Sequence, residues 1–380
     1  MTSRVMGEEK KYKVYFEPVD IEIEASEEET VLDAAFRQGV MLMHGCKEGQ
    51  CAACKAFLLD GDMDMDPFST FALNEFEEEE GFVLLCRSHA YSDLEVELIG
   101  YHEDMLQTGI PLQRITAEVE EIEDLTHDMK RLVLNLVDPP EMQFLSGQYA
   151  ELYIPGTQEH RAYSMANTPT DDSRAEFIIR VYPGGRFSED LLDKKLEVGD
   201  SITLSVPYGV FTLREKSEGD LIFVGGGSGM APILSILRHM AESGIERNAT
   251  FYYGARTKKD LFYLDEIREL GEQLPGGFKF VPVLSEPEED DEWDGETGMV
   301  TDAINDLEDD LSEMEAYMAG PPPMIDAAIP VLTNLGLEEE HIYYDKFTQT
   351  SKMEEGEEQG EEVAGQGVES GPEFPGKAEA

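Results

Sequence analysis

The chain contains four cysteines, and their spacing restricts its fold more than any other feature. Cys46, Cys51 and Cys54 form the pattern C-x4-C-x2-C, and Cys86 follows after a long gap. This spacing is typical of the thiolate ligands of a plant-type [2Fe-2S] cluster. The sequence therefore predicts a small module in which a cysteine-rich loop and a distant fourth cysteine meet.

Two other uses of the cysteines fit the sequence less well. The first three lie too close together for ordinary disulfide geometry, and the first residues do not resemble a secretory signal. Structural zinc sites usually contain two C-x2-C pairs, whereas only Cys51 and Cys54 form one here. We expect the adjacent His44 to be a structural neighbour of the cluster rather than a ligand.

The length of the chain allows several domains. Its 380 residues, 41% of them hydrophobic, suffice for two or three domains with their own cores. No apolar run approaches the roughly 18 residues that a membrane-spanning helix needs. We therefore expect a cytoplasmic protein, in a compartment where cysteines stay reduced.

The formal net charge of -53 excludes nucleic acid and anionic membranes as partners. The acidity is spread along the chain, and neither Lys nor Arg occurs between Lys279 and Lys346. The carboxylates would either guide docking onto a basic partner or keep the surface hydrated at high salt. The even spread and the scarcity of lysine favour the second explanation.

Hydrophobic periodicity divides the chain into three modules and a tail, which predicts a multidomain α+β and α/β protein. A hairpin, a helix and three short strands predict a β-grasp ferredoxin domain over residues 10–105, followed by a linker at 100–111. Five short strands predict an antiparallel β-barrel over 111–214. Alternating strands and helices predict a parallel sheet over 217–348. Low apolar content predicts a disordered acidic tail at 352–380.

A glycine run follows the apolar strand at 221–224 and precedes a helix predicted at 230–243. Glycines allow a nucleotide pyrophosphate to approach the backbone at a helix N-terminus. Gly225 and Gly227 fit the G-x-G-x-x-G pattern, but Met230 replaces the third glycine. A flexible turn between strand and helix remains the alternative interpretation.

A second candidate site is the segment Arg161-Ala162-Tyr163-Ser164 at the end of a predicted barrel strand. Its guanidinium, ring and hydroxyl suit a pyrophosphate, an isoalloxazine face and a flavin ring nitrogen in turn. A partly buried surface strand would have a similar composition.

The motifs, taken in their order along the chain, resemble those of a known family, although no single motif is sufficient for this resemblance. The motifs are Cys46/Cys51/Cys54/Cys86, Arg161–Ser164, Gly184-Gly185-Arg186-Phe187-Ser188, residues 225–232, residues 320–324 and Tyr344-Asp345-Lys346-Phe347. From residue 12 to 348, the chain resembles the reductase components of soluble di-iron monooxygenases, in the ferredoxin-NAD(P)H reductase superfamily. The resemblance implies three cofactors: a [2Fe-2S] cluster, FAD and NADH.

The resemblance also implies roles for individual residues in the flavin site. Arg161 would contact the FAD pyrophosphate, Tyr163 would pack on the flavin and Ser164 would lie near its N5 atom. Gly185 and Ser188 would hold the same pyrophosphate.

For the nicotinamide nucleotide, the resemblance implies a second set of residues. Gly225, Gly227 and Gly229 would face the NADH pyrophosphate. Gly320 and Pro321 would border the nicotinamide. Phe347 would cover the other flavin face, unless it is a core residue of the last strand.

The chain departs from many relatives beside the expected hydride path. Ala319 stands where they have a cysteine, which leaves Ser164 and Asp345 as the polar candidates, with Phe347, for a catalytic role. Such a site works mainly by positioning cofactor atoms. The loss of one thiol therefore need not abolish activity.

These features predict NADH-dependent electron transfer through FAD and the cluster to the di-iron hydroxylase of a hydrocarbon monooxygenase. Two alternatives stay open: a reductase for a Rieske-type dioxygenase, and an acidic electron carrier without nicotinamide activity. NADPH also stays open, since Arg256, Lys258 and Lys259 suit a 2′-phosphate, although Asp260 opposes it.

Overall fold

A computed structural model describes residues 10–45, 47, 49–101, 106, 110–288 and 292–347. Cys46 and the predicted tail at 352–380 lie outside these residues. One compact unit ends at Lys346, and Phe347 belongs to the following unit. The predicted domain bounds remain predictions.

The first part of the chain forms a five-stranded mixed sheet in the order β2-β1-β7-β3-β5. The strands of this sheet are β1 (Lys11–Glu17), β2 (Ile21–Ser26), β3 (Lys55–Asp60), β5 (Phe82–Leu84) and β7 (Leu94–Leu98). A separate antiparallel pair consists of β4 (Met63–Met65) and β6 (Ser88–Ala90), and the helices are α1 (Val31–Arg37) and α2 (Glu75–Glu80). Strand β1 pairs antiparallel with β2 and parallel with β7. The apolar residues of α1 are buried below the Thr30 cap. The predicted β-grasp ferredoxin fold is confirmed.

Three of these elements were not predicted, namely α2, β4 and β6. Helix α2 has no buried residue and therefore no apolar periodicity to detect. It is instead defined by its ends, a capping box at Asn74 and the left-handed Gly81. The predicted linker at 100–111 contains Leu106, whose buried side chain belongs to the ferredoxin core.

The middle part forms an antiparallel sheet in the order β11-β10-β13-β8-β9-β12. The strands are β8 (Gln113–Asp124), β9 (Met129–Asp138), β10 (Tyr149–Tyr153), β11 (His160–Ser164), β12 (Arg174–Arg180) and β13 (Ser201–Tyr208). A bridge between Met165 and Phe177 joins the two edges, so that the sheet nearly closes around an apolar core. The predicted antiparallel barrel is confirmed.

The last part is a parallel sheet in the order β17-β16-β15-β14-β18-β19. The strands are β14 (Asp220–Gly226), β15 (Ala249–Ala255), β16 (Phe278–Leu284), β17 (Glu296–Thr297), β18 (Met314–Gly320) and β19 (Ile342–Lys346), and the helices are α3 (Met230–Ser243), α4 (Leu264–Gly271), α5 (Val300–Leu307) and α6 (Pro322–Asn334). The strand order reverses at β14, whose carboxyl end is the switch point where α/β sheets bind ligands. The glycine run lies at this end.

None of the helices in the described ranges is long and apolar enough to cross a membrane.

Candidate functional site

The three described cysteines lie at the end of the ferredoxin module where its loop meets β5. Cys54 and Cys86 are buried, and their Sγ atoms are 3.2 Å apart. This separation exceeds the roughly 2.05 Å of a disulfide bond. A Cβ atom added to Gly45 would lie 2.9 Å from Cys51 Sγ, so glycine is needed beside the sulfur. The thiols and their glycine-lined loop fit a [2Fe-2S] cluster, with Cys46 the predicted fourth ligand.

His44 is a packing residue of this loop. Its Nδ1 lies 2.7 Å from the Leu42 carbonyl oxygen, and its ring meets the edge of Phe36 at 4.6 Å. Burial lowers the pKa of His44 to about 4. A neutral, aromatic-packed ring agrees with the structural role expected from the sequence.

The segment Arg161–Ser164 lies on β11, which pairs with β10. The register sets Ser164 opposite Tyr149 and Ala162 opposite Glu151. The Tyr163 ring packs 5.2 Å from Phe187, and burial raises the Tyr163 pKa. The guanidinium, ring and hydroxyl predicted to hold FAD are therefore carried on one strand.

The turn before the short helix Ser188–Asp193 is tight. A Cβ atom at Gly185 would lie 2.3 Å from Ser188 Oγ, so only glycine fits there. Ser188 is buried, and its Oγ accepts a hydrogen bond from the Tyr182 N–H at 3.2 Å. This bond leaves the hydroxyl proton of Ser188 able to donate to a phosphate oxygen.

Two candidate catalytic residues, one on the barrel and one on the parallel sheet, are in contact. Ser164 Oγ donates a hydrogen bond to Asp345 Oδ2 over 3.5 Å. Burial raises the Asp345 pKa to about 6, while the Ser164 bond acts in the opposite direction. Asp345 lies on β19 opposite Ala319 of β18. Phe347 follows two residues later, and its role stays a prediction.

The glycines of the nucleotide turn differ in what surrounds them. A Cβ atom at Gly225 would lie 3.0 Å from Ile233 and Phe251, and one at Gly229 only 1.9 Å from the Ala319 carbonyl oxygen. Gly227 has a φ of +57°, and its nearest neighbour would be 3.8 Å away. Packing therefore requires Gly225 and Gly229, while Gly227 is the glycine open to a phosphate.

Gly320 and Pro321 border this turn from the neighbouring strand. Gly320 has a φ of +139°, and its added Cβ would lie 2.8 Å from the Gly226 carbonyl oxygen. Pro321 is the N-cap residue of α6. The two predicted nicotinamide neighbours are therefore brought beside the predicted pyrophosphate site.

Sequence reasoning missed the contact between the cluster loop and the barrel. The His44 ring lies 6.1 Å from the Tyr149 ring, and Lys47 Nζ lies 2.6 Å from Glu151 Oε1. Tyr149 and Glu151 are on β10, next to the flavin strand. Apart from the position of Lys47 beside Cys46, the sequence carried no signal for this contact.

Three family models match the chain in the order of the three sheets. They describe a 2Fe-2S iron-sulfur cluster binding domain at residues 14–91, an oxidoreductase FAD-binding domain at 116–213 and an oxidoreductase NAD-binding domain at 223–329. The fold and the site therefore define an iron–sulfur flavoprotein oxidoreductase that uses a nicotinamide nucleotide.

Proteins with similar sequences place the chain more narrowly within the iron–sulfur flavoprotein oxidoreductases. The chain is 52% identical to the propane 2-monooxygenase reductase component of Mycolicibacterium goodii, over 89% of this chain and 97% of the relative. It is 38% identical to the phenol 2-monooxygenase reductase component of Pseudomonas sp. CF600, over 88% and 94%. The chain belongs to the family of reductase components of multicomponent monooxygenases, and the sequence-based recognition is confirmed.

Solved structures share the whole three-domain arrangement. The Amycolatopsis cytochrome P450 reductase GcoB matches with a TM-score of 0.80 and 30% identity, over 89% of this chain and 99% of that one. The ferredoxin reductase in carbazole 1,9a-dioxygenase matches with a TM-score of 0.72 and 28% identity, over 90% and 100%. The architecture is thus shared by reductases named for different oxygenases.

Proposed function

We propose that this chain is the cytoplasmic NADH-dependent reductase of a hydrocarbon-oxidising di-iron monooxygenase. The observation that carries the proposal is the strand pair β10–β11. Ser164 on β11 contacts Asp345 of the parallel sheet, while Tyr149, its partner on β10, contacts His44 of the cluster loop. One pair of strands therefore connects the nucleotide site with the cluster site.

The residues of this strand pair would hold a flavin between the two sites. Bound FAD would accept two electrons together and release them singly, which a nicotinamide and a [2Fe-2S] centre cannot do for each other. Arg161 would pair with the pyrophosphate, helped by the Ser188 hydroxyl. Tyr163 would pack against the ring system. Ser164 would donate a hydrogen bond near the atom that receives the hydride.

The charges beyond β15 favour NADH over NADPH. Lys259 Nζ lies 2.7 Å from a Glu288 carboxylate oxygen, and Arg256 lies 3.9 Å from Asp260. The Asp260 carboxylate also accepts the Thr257 N–H at 2.8 Å. A 2′-phosphate would meet cations already paired with carboxylates, which weakens its attraction. We expect a higher kcat/KM for NADH, and a higher value for NADPH would contradict this assignment.

The hydroxylase would form a transient complex with the cluster side of the ferredoxin module. The Ser69 N–H donates to the Gly49 carbonyl of the cluster loop at 3.0 Å. Nearby, Phe71 and Phe76 are 94% and 67% exposed, and α2 has the acidic sequence EFEEEE. Exposed aromatic rings surrounded by carboxylates suit a partner with an apolar pocket and a basic rim.

Phe71→Ser tests this face. We expect slower electron delivery to the hydroxylase and an unchanged rate with cytochrome c, because a small one-electron acceptor does not need the exposed ring. Val198→Ser is the matched control, since Val198 is 67% exposed on the barrel. Equal rates with the hydroxylase for both variants would remove this face from the proposal.

Reconstitution tests the proposed function itself. The holoenzyme should transfer electrons from NADH to a purified di-iron hydroxylase and sustain hydrocarbon oxidation. Turnover only with a Rieske-type oxygenase would support the first alternative. Failure of NADH to reduce the flavin, followed near 450 nm, would support the electron carrier without nicotinamide activity.

A further inference from the structure

An ion pair connects the cluster loop to the barrel. Lys47 Nζ lies 2.6 Å from Glu151 Oε1, although the two residues are 104 positions apart. Their side chains are only 16% and 6% exposed. Lys47 directly follows the predicted cluster ligand Cys46, and Glu151 lies opposite Ala162 of the flavin strand. The pair therefore joins a residue of the cluster loop to the strand beside the flavin site.

Aromatic rings enclose this ion pair. Lys47 Nζ lies 3.9 Å from the centre of the Tyr208 ring and 5.9 Å from that of Phe36. The His160 ring also approaches the carboxylate, with Nε2 3.5 Å from the same oxygen, Glu151 Oε1. The aromatic faces attract the cation, and removing one partner of a buried ion pair is strongly destabilising because the other partner stays buried.

The backbone of Lys47 is held in a conformation that lysine rarely adopts. Its φ is +61°, in the left-handed region. Such a conformation persists when surrounding contacts determine it, and it is concentrated at functional sites. The contacts with Glu151 and Tyr208 supply that determination.

We propose that the Lys47–Glu151 pair fixes the cluster loop against the barrel, and that Lys47 is a positioning residue for electron transfer from flavin to cluster. The proposal rests on the proposed function, because it presupposes both cofactors. With the pair intact, the loop is held one strand away from the flavin strand. Without it, the buried Glu151 carboxylate loses its lysine partner, and the loop separates from β10.

The variant Lys47→Met tests the proposal in the holoenzyme. It keeps the apolar stem but removes the charge. We expect cytochrome c reduction per bound cluster to fall about tenfold, since one partner of a buried ion pair is lost. Ferricyanide reduction, which draws electrons from the flavin, should be unchanged. Lys47→Arg should recover most of the cytochrome c rate, because it restores the cation.

Lys55→Met is the matched control. Lys55 also directly follows a cluster cysteine, but its partner, Glu77 at 2.8 Å, lies within the ferredoxin module. The control therefore removes the same charge beside the cluster without touching the barrel. Equal cytochrome c rates per cluster for the two methionine variants would overturn the proposal.

Hydrogen–deuterium exchange gives a readout that does not depend on turnover. In Lys47→Met, peptides covering β10 and the end of β13 at Tyr208 should exchange faster than in the wild type and in Lys55→Met. Unchanged exchange in these peptides would overturn the proposal. Glu151→Gln provides a second variant, for which the same increase is expected. Absence of ferricyanide reduction in the wild type would instead refute the proposed function.

Discussion

The barrel has two joints, and they differ in chemistry. Toward the cluster, Tyr149 and Tyr208 stack at 5.4 Å and Phe36 meets Tyr208 edge-on at 5.7 Å, beside the Lys47–Glu151 pair. We call this the cluster joint. Toward the parallel sheet, hydrogen bonds between polar groups accompany an edge-on ring contact, between Phe211 and Tyr317 at 5.8 Å.

At this second contact, the nucleotide joint, polar groups of α3 meet the barrel. Arg238 donates to the Ala166 carbonyl at 2.9 Å and to Glu176 at 3.2 Å. Ser235 Oγ donates to the Asn167 carbonyl at 2.7 Å. Exchange with water costs about 0.5–1.5 kcal/mol net for a neutral bond such as that of Ser235, and about 1.5–3 kcal/mol for a bond of a charged group such as Arg238.

This difference between the two joints suits the two proposed transfers, from nicotinamide to flavin and from flavin to cluster. Exposing aromatic surface costs about 25 cal/mol per Å², so the cluster joint resists opening. In the proposed function, the nucleotide joint would exchange its hydrogen bonds for water as the nicotinamide binds. A fixed distance between flavin and cluster suits repeated one-electron steps. An adjustable nicotinamide site suits a substrate that binds and leaves.

Cys86→Ser should have the largest effect, and it acts only on the cluster side. Cys86 is buried with its sulfur 3.2 Å from that of Cys54. Loss of this thiolate should abolish NADH-driven cytochrome c reduction and leave ferricyanide reduction intact. Equal activity with both acceptors would show that electrons do not leave through the cluster.

Ser164→Ala should affect only the nucleotide side. Removing the hydroxyl that bonds Asp345 should slow flavin reduction by NADH about tenfold, which corresponds to about 1.4 kcal/mol of transition-state stabilisation. Stopped-flow absorbance measures this step. Ser243→Ala, which removes a serine hydroxyl from the exposed end of α3, is the control. Identical reduction rates in the two variants would exclude Ser164 from the hydride site.

Asp345→Asn should remove the part of the pH dependence of stability that comes from ionisation of the Asp345 carboxyl group at the nucleotide joint. Burial raises the folded-state pKa of Asp345 to about 6 from its ordinary value of 3.8. The folded protein therefore binds more protons between these values, and stability falls as pH rises through that window. The Tm of the variant minus that of the wild type should be near zero at pH 4 and positive at pH 7. A difference that does not change with pH would contradict the raised pKa.

Changing the salt concentration should have the smallest effect of these tests. It should change the stability contribution of the exposed surface more than that of the buried contacts in the joints. With a formal charge of -53, exposed carboxylates repel one another, and molar KCl screens this repulsion. The Tm should rise from dilute buffer to molar KCl. The Tm difference between Lys47→Met and the wild type should stay nearly constant, because a buried pair is screened less. A Tm that does not rise would refute adaptation to high salt.

Regular periodicity explains which elements could be predicted from sequence. Helix α3 was predicted with the observed bounds, because its apolar positions are regular and Gly244 terminates it in the left-handed conformation. Helix α2 lacks an apolar face and was missed. Similarly, the sequence located the glycine turn but could not separate Gly227 from Gly229, because the difference depends on how close β18 lies.

The joints could not be predicted at all. Lys47 and Glu151 are separated by 104 positions, and Ser164 and Asp345 by 181. No local pattern records such pairings, since they depend on how three domains pack. Local motifs therefore predict candidate site residues, whereas the residues that hold these candidates in relation to one another are visible only in the fold.

In the proposed electron path, the flavin is the obligatory connection between the two joints. Two separate samples, the holoenzyme and a deflavinated protein that keeps its cluster, should each be mixed anaerobically with NADH. Electron paramagnetic resonance then measures reduction of the cluster. We expect a reduced-cluster signal in the holoenzyme and none without FAD, with recovery when FAD is restored. A signal of equal size in the deflavinated protein would contradict this electron path.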